Sequence, residues 1–271
     1  KIEMSTSFIE IIEAAIKNGA KPENISTCHN FYPERYTAPS LEAINEINNY
    51  WKAKNIPVAI FISSLVKGSH GPWPVSDGLP TIEEHRDMPI GEQLKHCLAL
   101  DNVDEIIIGN AYASEEEFKA IDQVMKQVYV DVPKNEAFGF LADFIPHGMV
   151  KRVPFKIQLE EGITELEKEI LFNYPTHSDL GDCMNYMLRS RWTRMIYKGK
   201  EIPCRPCTKT HYTRGDVVIV NDNLAHYRGE IQIVLKDMKV DGQRNLLGRI
   251  DESEIFILEH IKAKDVFTFV E

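Results

Sequence analysis

Four successive strand-then-helix segments in residues 1–128 constrain the fold of this chain more than any other feature. The run from Val58 to Ile62 has no polar interruption, as expected for a parallel strand buried on both faces. Shorter strand-like runs at residues 1–5, 25–28 and 105–108, like this one, each precede apolar residues at helical spacing. Four such units predict parallel strands with right-handed crossovers, as half of an eight-fold barrel or as a small open sheet.

Polar residues follow the strands of these units. Because the carboxyl ends of parallel strands lie at one edge of a sheet, where α/β proteins place their sites, we expect these side chains to gather. They are Ser5, His29, Asn30, Ser63 and Asn110.

Two loops at this edge stand out. Residues 28–37 carry an imidazole, an amide, a carboxylate, a guanidinium and phenols, which favours a surface that contacts a ligand. A packed loop whose aromatic residues cover a helix end is the alternative. Residues 63–80 contain several glycines and prolines, and loops of that length within a compact domain are usually functional or disordered.

The pattern changes after about residue 128. Residues 129–153 read as an irregular connection, and residues 154–271 contain short strand-like runs separated by turns such as Asp241-Gly242. The predicted organisation is therefore a β/α domain at 1–128, a connection at 129–153 and a mostly antiparallel β domain at 154–271, of which a barrel is one form.

Composition excludes several classes of protein. The net charge of -10 argues against a nucleic-acid or anionic-membrane surface, although a small anion can bind where arginines gather. No apolar run approaches the roughly 18 residues of a membrane span, so we expect neither a signal peptide nor an anchor. Five cysteines at irregular spacing favour reduced thiols and a cytoplasmic location. Since the first residue is Lys1, we expect the sequence to begin inside a longer protein.

Acidic residues of the first half are candidates for glycoside cleavage, which needs one carboxyl group to protonate the leaving oxygen and another to attack or to activate water. Glu3 lies on the first predicted strand, Glu34 lies in the first loop, and Glu83 and Glu84 open a predicted helix. For the last two, a favourable interaction with the helix dipole is the alternative interpretation.

Residues 189–194 form the densest basic cluster, with arginines at positions 189, 191 and 194. They can bind a phosphate or carboxylate through charge-assisted hydrogen bonds. A solvated face that balances Asp179 and Asp182 is the alternative.

Cys204, Cys207 and His211, with Cys183 as a fourth ligand, would suit zinc or redox chemistry. Only one CxxC pair occurs, whereas a structural zinc site normally has two paired elements, so we predict no metal. Phosphate-loop, dinucleotide and nucleophile-elbow motifs do not occur, and no cofactor is predicted.

Four long motifs resemble the bacterial 6-phospho-N-acetylmuramidases, a family long catalogued as an "outer surface protein" family. They lie at Cys28–Thr37, Gly71–Thr81, Glu83–Arg86 and Ile108–Ser114. Similar motifs in the second half are Leu188–Ser190, Gly215-Asp216, Asn221, Tyr227 and Gly229–Ile233.

The resemblance implies a TIM-barrel-like (β/α) domain followed by a cyclophilin-like β domain. It also implies hydrolysis of 6-phospho-N-acetylmuramyl-N-acetylglucosamine in peptidoglycan recycling. The 6-phosphate and the lactyl carboxylate of this substrate would be ligands for Arg35, Arg86, Arg189 and Arg194. An outer-surface location does not follow, because an exo-acting cytoplasmic enzyme suits the absence of a signal peptide.

The chain departs from the family pattern in three respects. Family members begin with about four more β/α units, so residues 1–5 would correspond to the fifth strand of the barrel. Residues 129–152 form a longer connection than is usual, and Leu180 and Val220 stand where a basic and an acidic residue are expected.

The predicted catalytic residues are Glu3 and, more weakly, Glu83. The predicted substrate-binding residues, taken from the strand ends, the arginines and the family-like motifs, are His29, Asn30, Arg35, Tyr36, Arg86, Asn110, Arg189, Asn221, Tyr227 and Glu230. A non-catalytic sugar-phosphate binding protein of the same fold is the alternative function. A prolyl isomerase is a poorer one, since no isomerase site is evident in the sequence.

Overall fold

A computed structural model describes residues 2–182 and 185–271. The chain divides into two compact units, Lys1–Val124 and Met125–Glu271.

The first unit contains a four-stranded parallel sheet in the order β1-β2-β3-β4. Its strands are β1 (Ile2–Ser5), β2 (Ile25–Cys28), β3 (Val58–Ile62) and β4 (Glu105–Ile108). The helices that follow them are α1 (Ile9–Lys17), α2 (Leu41–Lys52), α3 (Ile90–Leu100) and α4 (Glu115–Val128). The four predicted β/α units are therefore present, and the mixed α/β class is confirmed.

One face of this sheet is packed by helices. Ile60 and Ile62 of β3 lie in a cluster with Ile44 of α2 and Leu100 of α3. Side chains alternate along a strand, so Ala59 and Phe61 lie on the other face, as do their register partners Glu105 and Ile107. The first unit thus has one apolar, helix-covered face and one face of mixed polarity.

Local signals set the starts of two helices in this unit. Ser114 and Glu117 form a capping box at α4, with reciprocal bonds of 3.2 and 2.9 Å. The helix predicted to open with Glu83 and Glu84 instead starts at Ile90, after a single 3-10 turn at Glu83–His85. Pro89 is the reason, because proline is tolerated at the start of a helix and not in its interior.

The second unit starts with a strand pair where the sequence predicts an irregular connection. Strands β5 (Tyr129–Val132) and β6 (Gly148–Lys151) pair antiparallel, and 3-10 turns at Glu136–Phe144 lie between them. Prolines and glycines near the strand ends hide the pattern of these short strands in the sequence.

A seven-stranded, mostly antiparallel sheet forms the rest of this unit, in the order β8-β15-β7-β14-β11-β12-β9. Its strands are β7 (Val153–Leu159), β8 (His177–Ser178), β9 (Met187–Ser190), β11 (Asp216–Val220), β12 (Ile231–Val234), β14 (Arg244–Ile250) and β15 (Val266–Val270). Strands β10 (His211–Tyr212) and β13 (Met238–Lys239) pair separately, and the helices are α5 (Glu165–Asn173) and α6 (Thr193–Ile196).

The two ends of the seven-stranded sheet approach each other. His177 on β8 and Ser190 on β9 are both fully buried, and the Nδ1 of His177 is 2.9 Å from the Oγ of Ser190. The Nε2 of His177 is 3.0 Å from the carbonyl oxygen of Leu171. The sheet is therefore nearly closed, like a barrel, around a core that includes Phe155 and Phe267.

Candidate functional site

Side chains at the carboxyl ends of β3 and β4 meet as predicted. The Oδ1 of Asn110 accepts hydrogen bonds from Ser64 N at 2.8 Å and Ser63 Oγ at 3.1 Å. Its Nδ2 donates to Ser64 O and to Ser69 Oγ, both at 3.0 Å. Because both ends of the amide are used and the residue is buried, Asn110 holds the loop after β3 in place.

His29, at the end of β2, is also engaged by the protein. Its Nε2 is 2.6 Å from Asn48 Oδ1 and its Nδ1 is 3.3 Å from Thr6 Oγ1. Burial lowers the pKa of His29, only partly offset by the bond to Asn48. A neutral imidazole with both nitrogens engaged fixes the start of the 28–37 loop.

Arg86 joins the two site loops. Its Nε and Nη2 donate to the carboxylate of Glu83 at 2.7 and 2.8 Å. Its remaining N–H groups reach the carbonyl oxygens of Tyr32, Asp77 and Glu34 at 2.9 to 3.2 Å. A guanidinium has five N–H donors, and here all of them are used within the protein. Arg86 was predicted to bind a substrate anion, but none of its N–H groups is available for one.

Glu83 is the acceptor of this clamp. The hydrogen bonds from Arg86 lower its pKa to about 2, against the opposing effect of burial, and a 2.8 Å bond from Tyr36 N lowers it further. A carboxylate held in its ionised form has no proton to give to a leaving group at neutral pH. The geometry gives Glu83 a structural role in the loop clamp, and its catalytic role stays a prediction.

Arg35 lies on the surface beside this clamp. Its Nε is 3.1 Å from Asp77 Oδ1, and its two terminal nitrogens are each 2.7 Å from the carboxylate of Asp87. These pairs raise the pKa of Arg35, and they occupy three of its N–H groups.

A pocket of about 390 Å³ lies between Arg35, Arg86 and the 64–69 and 75–78 segments. Lys67 lines it, is exposed, and has no ion pair with any residue in the described ranges. Lys67 was not predicted as a site residue, although its place in the glycine-rich loop after a buried strand was a usable signal. It is the cation of this pocket best placed to receive an anion.

A second pocket of the first unit, about 430 Å³, has aromatic walls. Asn30, Tyr32 and Trp73 line it, and the Trp73 side chain is 61% exposed. The backbone oxygen of Asn30 accepts a 2.9 Å bond from Thr81 Oγ1, and the residue is exposed. Tyr36 is 86% exposed. Trp73 was not singled out from the sequence, although the Gly-Pro-Trp-Pro motif contains it.

Glu3, the main catalytic candidate, is exposed on β1. Burial, and then the charges of Glu3 and Glu105, raise the pKa of Cys28 to about 12. By register, Glu3 and Glu105 lie on the same sheet face, three strand spacings and two residues out of line, or about 16 Å apart. Paired glycosidase carboxyls are separated by roughly 5 to 9.5 Å, so Glu105 is not the partner of Glu3.

In the second unit the structure brings together three of the predicted residues. Arg189 donates to both oxygens of the fully buried Glu230, at 2.7 and 3.1 Å. Arg194 Nη1 is 3.6 Å from Glu230 Oε2. The two guanidiniums lie 5.7 and 5.2 Å from the ring centre of Tyr227, within the range of cation–π attraction. Glu230 thus lies within reach of both guanidiniums.

A pocket of about 670 Å³ is lined by Arg194, Lys198, His226 and Arg228. Arg228 is paired with Asp222 at 2.9 Å, whereas Lys198 has no ion pair within the part of the chain that the structure describes. An acidic chain that concentrates cations at one pocket is suited to bind an anion there. Lys198, His226 and Arg228 were not selected from the sequence because they are scattered along it.

Asn221, predicted to bind substrate, is fully buried. Its Nδ2 donates to Asn245 Oδ1 at 2.9 Å and Gly242 O at 3.1 Å, and its Oδ1 accepts from Asn223 N at 3.0 Å. These bonds fix the turn after β11, and the side chain presents no polar atom to a ligand.

Residues 2–182 and 185–271 contain no group of three or more His, Cys, Asp or Glu side chains arranged to hold a metal ion. Cys204 Sγ instead lies 3.4 Å from Gly242 O, and Cys183 lies outside the described residues. No helix in those ranges has the length and apolar character needed to cross a membrane.

Comparison with known families identifies the class of protein. Residues 1–123 match the model of "6-phospho-N-acetylmuramidase, N-terminal", and residues 153–270 match "6-phospho-N-acetylmuramidase, C-terminal". The chain therefore belongs to a glycosidase family. That family is the 6-phospho-N-acetylmuramidases, and the resemblance seen in the sequence is confirmed. Residues 124–152 lie between the two matched ranges.

Two solved structures are similar over the whole chain. An uncharacterized B. cereus protein is 35% identical, with a TM-score of 0.83, and 70% of its chain is covered. A conserved Enterococcus faecalis protein of unknown function is 24% identical, with a TM-score of 0.63 and 66% of its chain covered. The latter shows the fold alone. A comparison with curated proteins gives no match.

Proposed function

We propose that this chain acts in hydrolysis of 6-phospho-N-acetylmuramyl-N-acetylglucosamine during cytoplasmic peptidoglycan recycling. The match of both units to the 6-phospho-N-acetylmuramidase family carries the proposal. The four β/α units would be the C-terminal half of a TIM-like barrel, and the nearly closed sheet would be cyclophilin-like. The substrate is a small molecule with two anionic groups, a phosphate and a lactyl carboxylate.

Glu3 is the proposed catalytic carboxyl group. It is exposed on the mixed-polarity face of the sheet, two residues before the carboxyl end of β1. Glycoside hydrolysis needs a proton for the leaving oxygen and a nucleophile or activated water at the anomeric carbon, and Glu3 would supply one of these. Glu83 is not assigned to the other role, because Arg86 binds both of its carboxylate oxygens.

Substrate contacts are assigned to residues with unused polar groups or exposed rings. Asn30, Tyr36 and Trp73 would contact the sugar, since aromatic faces pack against apolar ring surfaces. Lys67, with Arg35, would bind one anion in the first unit. His29, Asn110 and Arg86 would position the loops without touching substrate.

In the second unit, Arg194 and Lys198 would bind an anion, with Arg189, Tyr227 and Glu230 holding Arg194 in place.

The proposal is tested with Glu3→Gln in the intact protein, which removes the charge and keeps the shape of the side chain. Turnover of the phosphorylated disaccharide, followed as release of N-acetylglucosamine, should fall by roughly 10² to 10⁴, the usual contribution of general acid–base catalysis. Product affinity, measured by calorimetry, should not change. Glu105→Gln, on the same face, is the matched control and should retain turnover. Full turnover in Glu3→Gln would refute the assignment.

A non-catalytic sugar-phosphate binding protein is the second candidate. The state of Glu83 favours it, because one of the two predicted catalytic carboxyl groups is committed to the loop clamp. Calorimetric binding of the disaccharide without release of N-acetylglucosamine would support this function over hydrolysis.

A further inference from the structure

A strained backbone position lies in the loop that follows β2. Tyr36 has a φ of 67°, in the left-handed region, where a side chain crowds the backbone. The other non-glycine residues of the described ranges with a positive φ are Asn55, Asp101 and Lys264. Asparagine and aspartate are enriched in this region, whereas a bulky residue there is an outlier. The surrounding structure must therefore hold Tyr36 in this conformation.

The ring of Tyr36 does not pack into the protein. The residue is 86% exposed, and its side chain makes no hydrogen bond or aromatic ring contact with any residue of the ranges 2–182 and 185–271. Backbone strain persists only where neighbouring groups impose it, and strained positions cluster at functional sites. The strain at Tyr36 thus presents an aromatic ring to solvent instead of improving a core.

Glu83 is the group that holds this backbone. Its carboxylate accepts a 2.8 Å hydrogen bond from Tyr36 N and another from the backbone N–H of Ala38. Arg86 binds the same carboxylate at 2.7 and 2.8 Å, and it donates to Glu34 O at 3.2 Å. Hydrogen bonds to an ionised acceptor are stronger than neutral ones. The turn that carries Tyr36 is therefore folded around one carboxylate.

Both chain neighbours of Tyr36 are fixed as well. The Oγ1 of Thr37 donates to Glu34 O at 2.7 Å. The guanidinium of Arg35 is bonded to two aspartates on other segments. None of these bonds involves the ring of Tyr36, so the backbone is fixed and the ring stays available to a ligand.

The turn borders the pocket of about 390 Å³ in the first unit, because Arg35 and Arg86 line that pocket. The proposed function places an anion there, at Lys67. Both anionic groups of the proposed substrate, the phosphate and the lactyl carboxylate, are carried by its muramyl ring. The sugar beside this pocket would therefore be the muramyl ring, and an aromatic face can pack against the apolar face of such a ring.

We infer that Glu83 is a positioning residue, which holds Tyr36 in its left-handed conformation so that the exposed ring forms a fixed platform for the phosphorylated muramyl ring. A platform that is fixed before binding loses less conformational freedom on binding than a mobile side chain. This role rests on the function proposed above, and it explains why the clamp of Glu83 and Arg86 reaches Tyr36.

Tyr36→Gly in the intact protein tests the platform. The denaturant midpoint should rise, because glycine adopts the left-handed conformation without strain. Affinity for the phosphorylated muramyl product, measured by calorimetry, should fall at least about tenfold with the loss of the stacked ring. The matched control is Phe140→Gly, which removes a 78% exposed ring from a position without positive φ. In the control the midpoint should not rise, and product affinity should be retained.

Glu83→Gln tests the positioning role. An amide offers one carbonyl oxygen where the carboxylate offers two, so Tyr36 N and Arg86 must compete for it. Product affinity should fall severalfold, and the KM for the disaccharide should rise more than kcat falls, as expected for a contact made equally to substrate and transition state. In the Tyr36→Gly background the same substitution should cause no further loss of affinity, because no ring remains to be positioned.

The outcomes separate the positioning role from the proposed function. If the unchanged protein neither binds the product nor releases N-acetylglucosamine from the disaccharide, the function fails and the role of Glu83 fails with it. If the unchanged protein does both, three results would overturn the positioning role alone. They are full product affinity in Tyr36→Gly, a lowered midpoint in Tyr36→Gly, and equal losses from Glu83→Gln in the two backgrounds. The first two need only Tyr36→Gly, which leaves the clamp intact, and they decide the matter if Glu83→Gln does not fold.

Discussion

The clamp around Arg86 and the cluster around Arg194 use the same residue types with opposite results. In the first unit, one guanidinium meets one carboxylate and three carbonyl oxygens, so every donor has a protein acceptor. In the second, Glu230 accepts two hydrogen bonds from Arg189, and Arg194 approaches the same carboxylate only to 3.6 Å. The Arg86 clamp has no donor left for a ligand, whereas the Arg194 cluster keeps positive charge at a pocket.

The difference shows that a basic residue near a site is not by itself an anion ligand. What decides its role is the number of acceptors that the fold has placed around it. Arg86 is saturated and stabilises loops, whereas Arg194 and Lys198 retain capacity for a ligand. Three experiments probe the difference between the two units, from the largest expected effect to the smallest.

Arg86→Gln should have the largest effect. It leaves Glu83 without its cation and three carbonyl oxygens without donors, so the free energy of unfolding should fall by about 3 to 5 kcal/mol. Urea denaturation measures this. The control is Arg35→Gln, whose ion pairs are exposed and should contribute no more than about 1 kcal/mol. Equal losses in the two variants would show that the Arg86 clamp contributes no more to stability than exposed ion pairs do.

Acid should act on His177 and on the Glu83 clamp in different pH ranges. Burial lowers the pKa of His177 to about 4. As the pH falls below about 6.5, the unfolded state therefore takes up a proton at this residue, whereas the folded state keeps it neutral down to about pH 4. Stability from this group is complete above pH 6.5 and is lost as the pH falls to about 4. Stability from Glu83 is complete above about pH 4.5 and is lost as the pH falls to about 2.

Between pH 7 and pH 5, therefore, the free energy of unfolding of the second unit should fall by about 2 kcal/mol because of His177, while the Glu83 clamp remains intact. Denaturant unfolding at the two pH values, followed with probes in each unit, measures this. His177→Gln should remove the His177 contribution to the pH dependence of the second unit. A variant with the full dependence would assign the effect to another group.

Arg194→Gln should have the smallest effect, and on binding instead of stability. Affinity of the second unit for inorganic phosphate should fall about tenfold, the worth of one charge-assisted hydrogen bond. Arg228→Gln, in the same pocket, should cost less because Arg228 is already paired with Asp222. Calorimetric titration measures both, and a larger loss in Arg228→Gln would reverse the assignment of the two residues.

Several features were predictable because they depend on local pattern. The alternation of apolar strands with amphipathic helices gave the four β/α units, and Ser114 with Glu117 gave the cap of α4. The meeting of Ser63 and Asn110 followed from parallel strands ending at one edge. The β5–β6 pair was missed because two four-residue strands among prolines have too little periodicity to be recognised.

By itself, the sequence determined the kind of structure and the family, because hydrophobic period, capping residues and long motifs are properties of adjacent residues. Only the tertiary structure decided which polar side chains are available. His29, Arg86, Asn110 and Asn221 have the chemistry of ligands, but partners distant in the sequence consume their hydrogen bonds. Satisfaction of a buried polar group depends on three-dimensional neighbours, so it cannot be inferred from residue type and spacing.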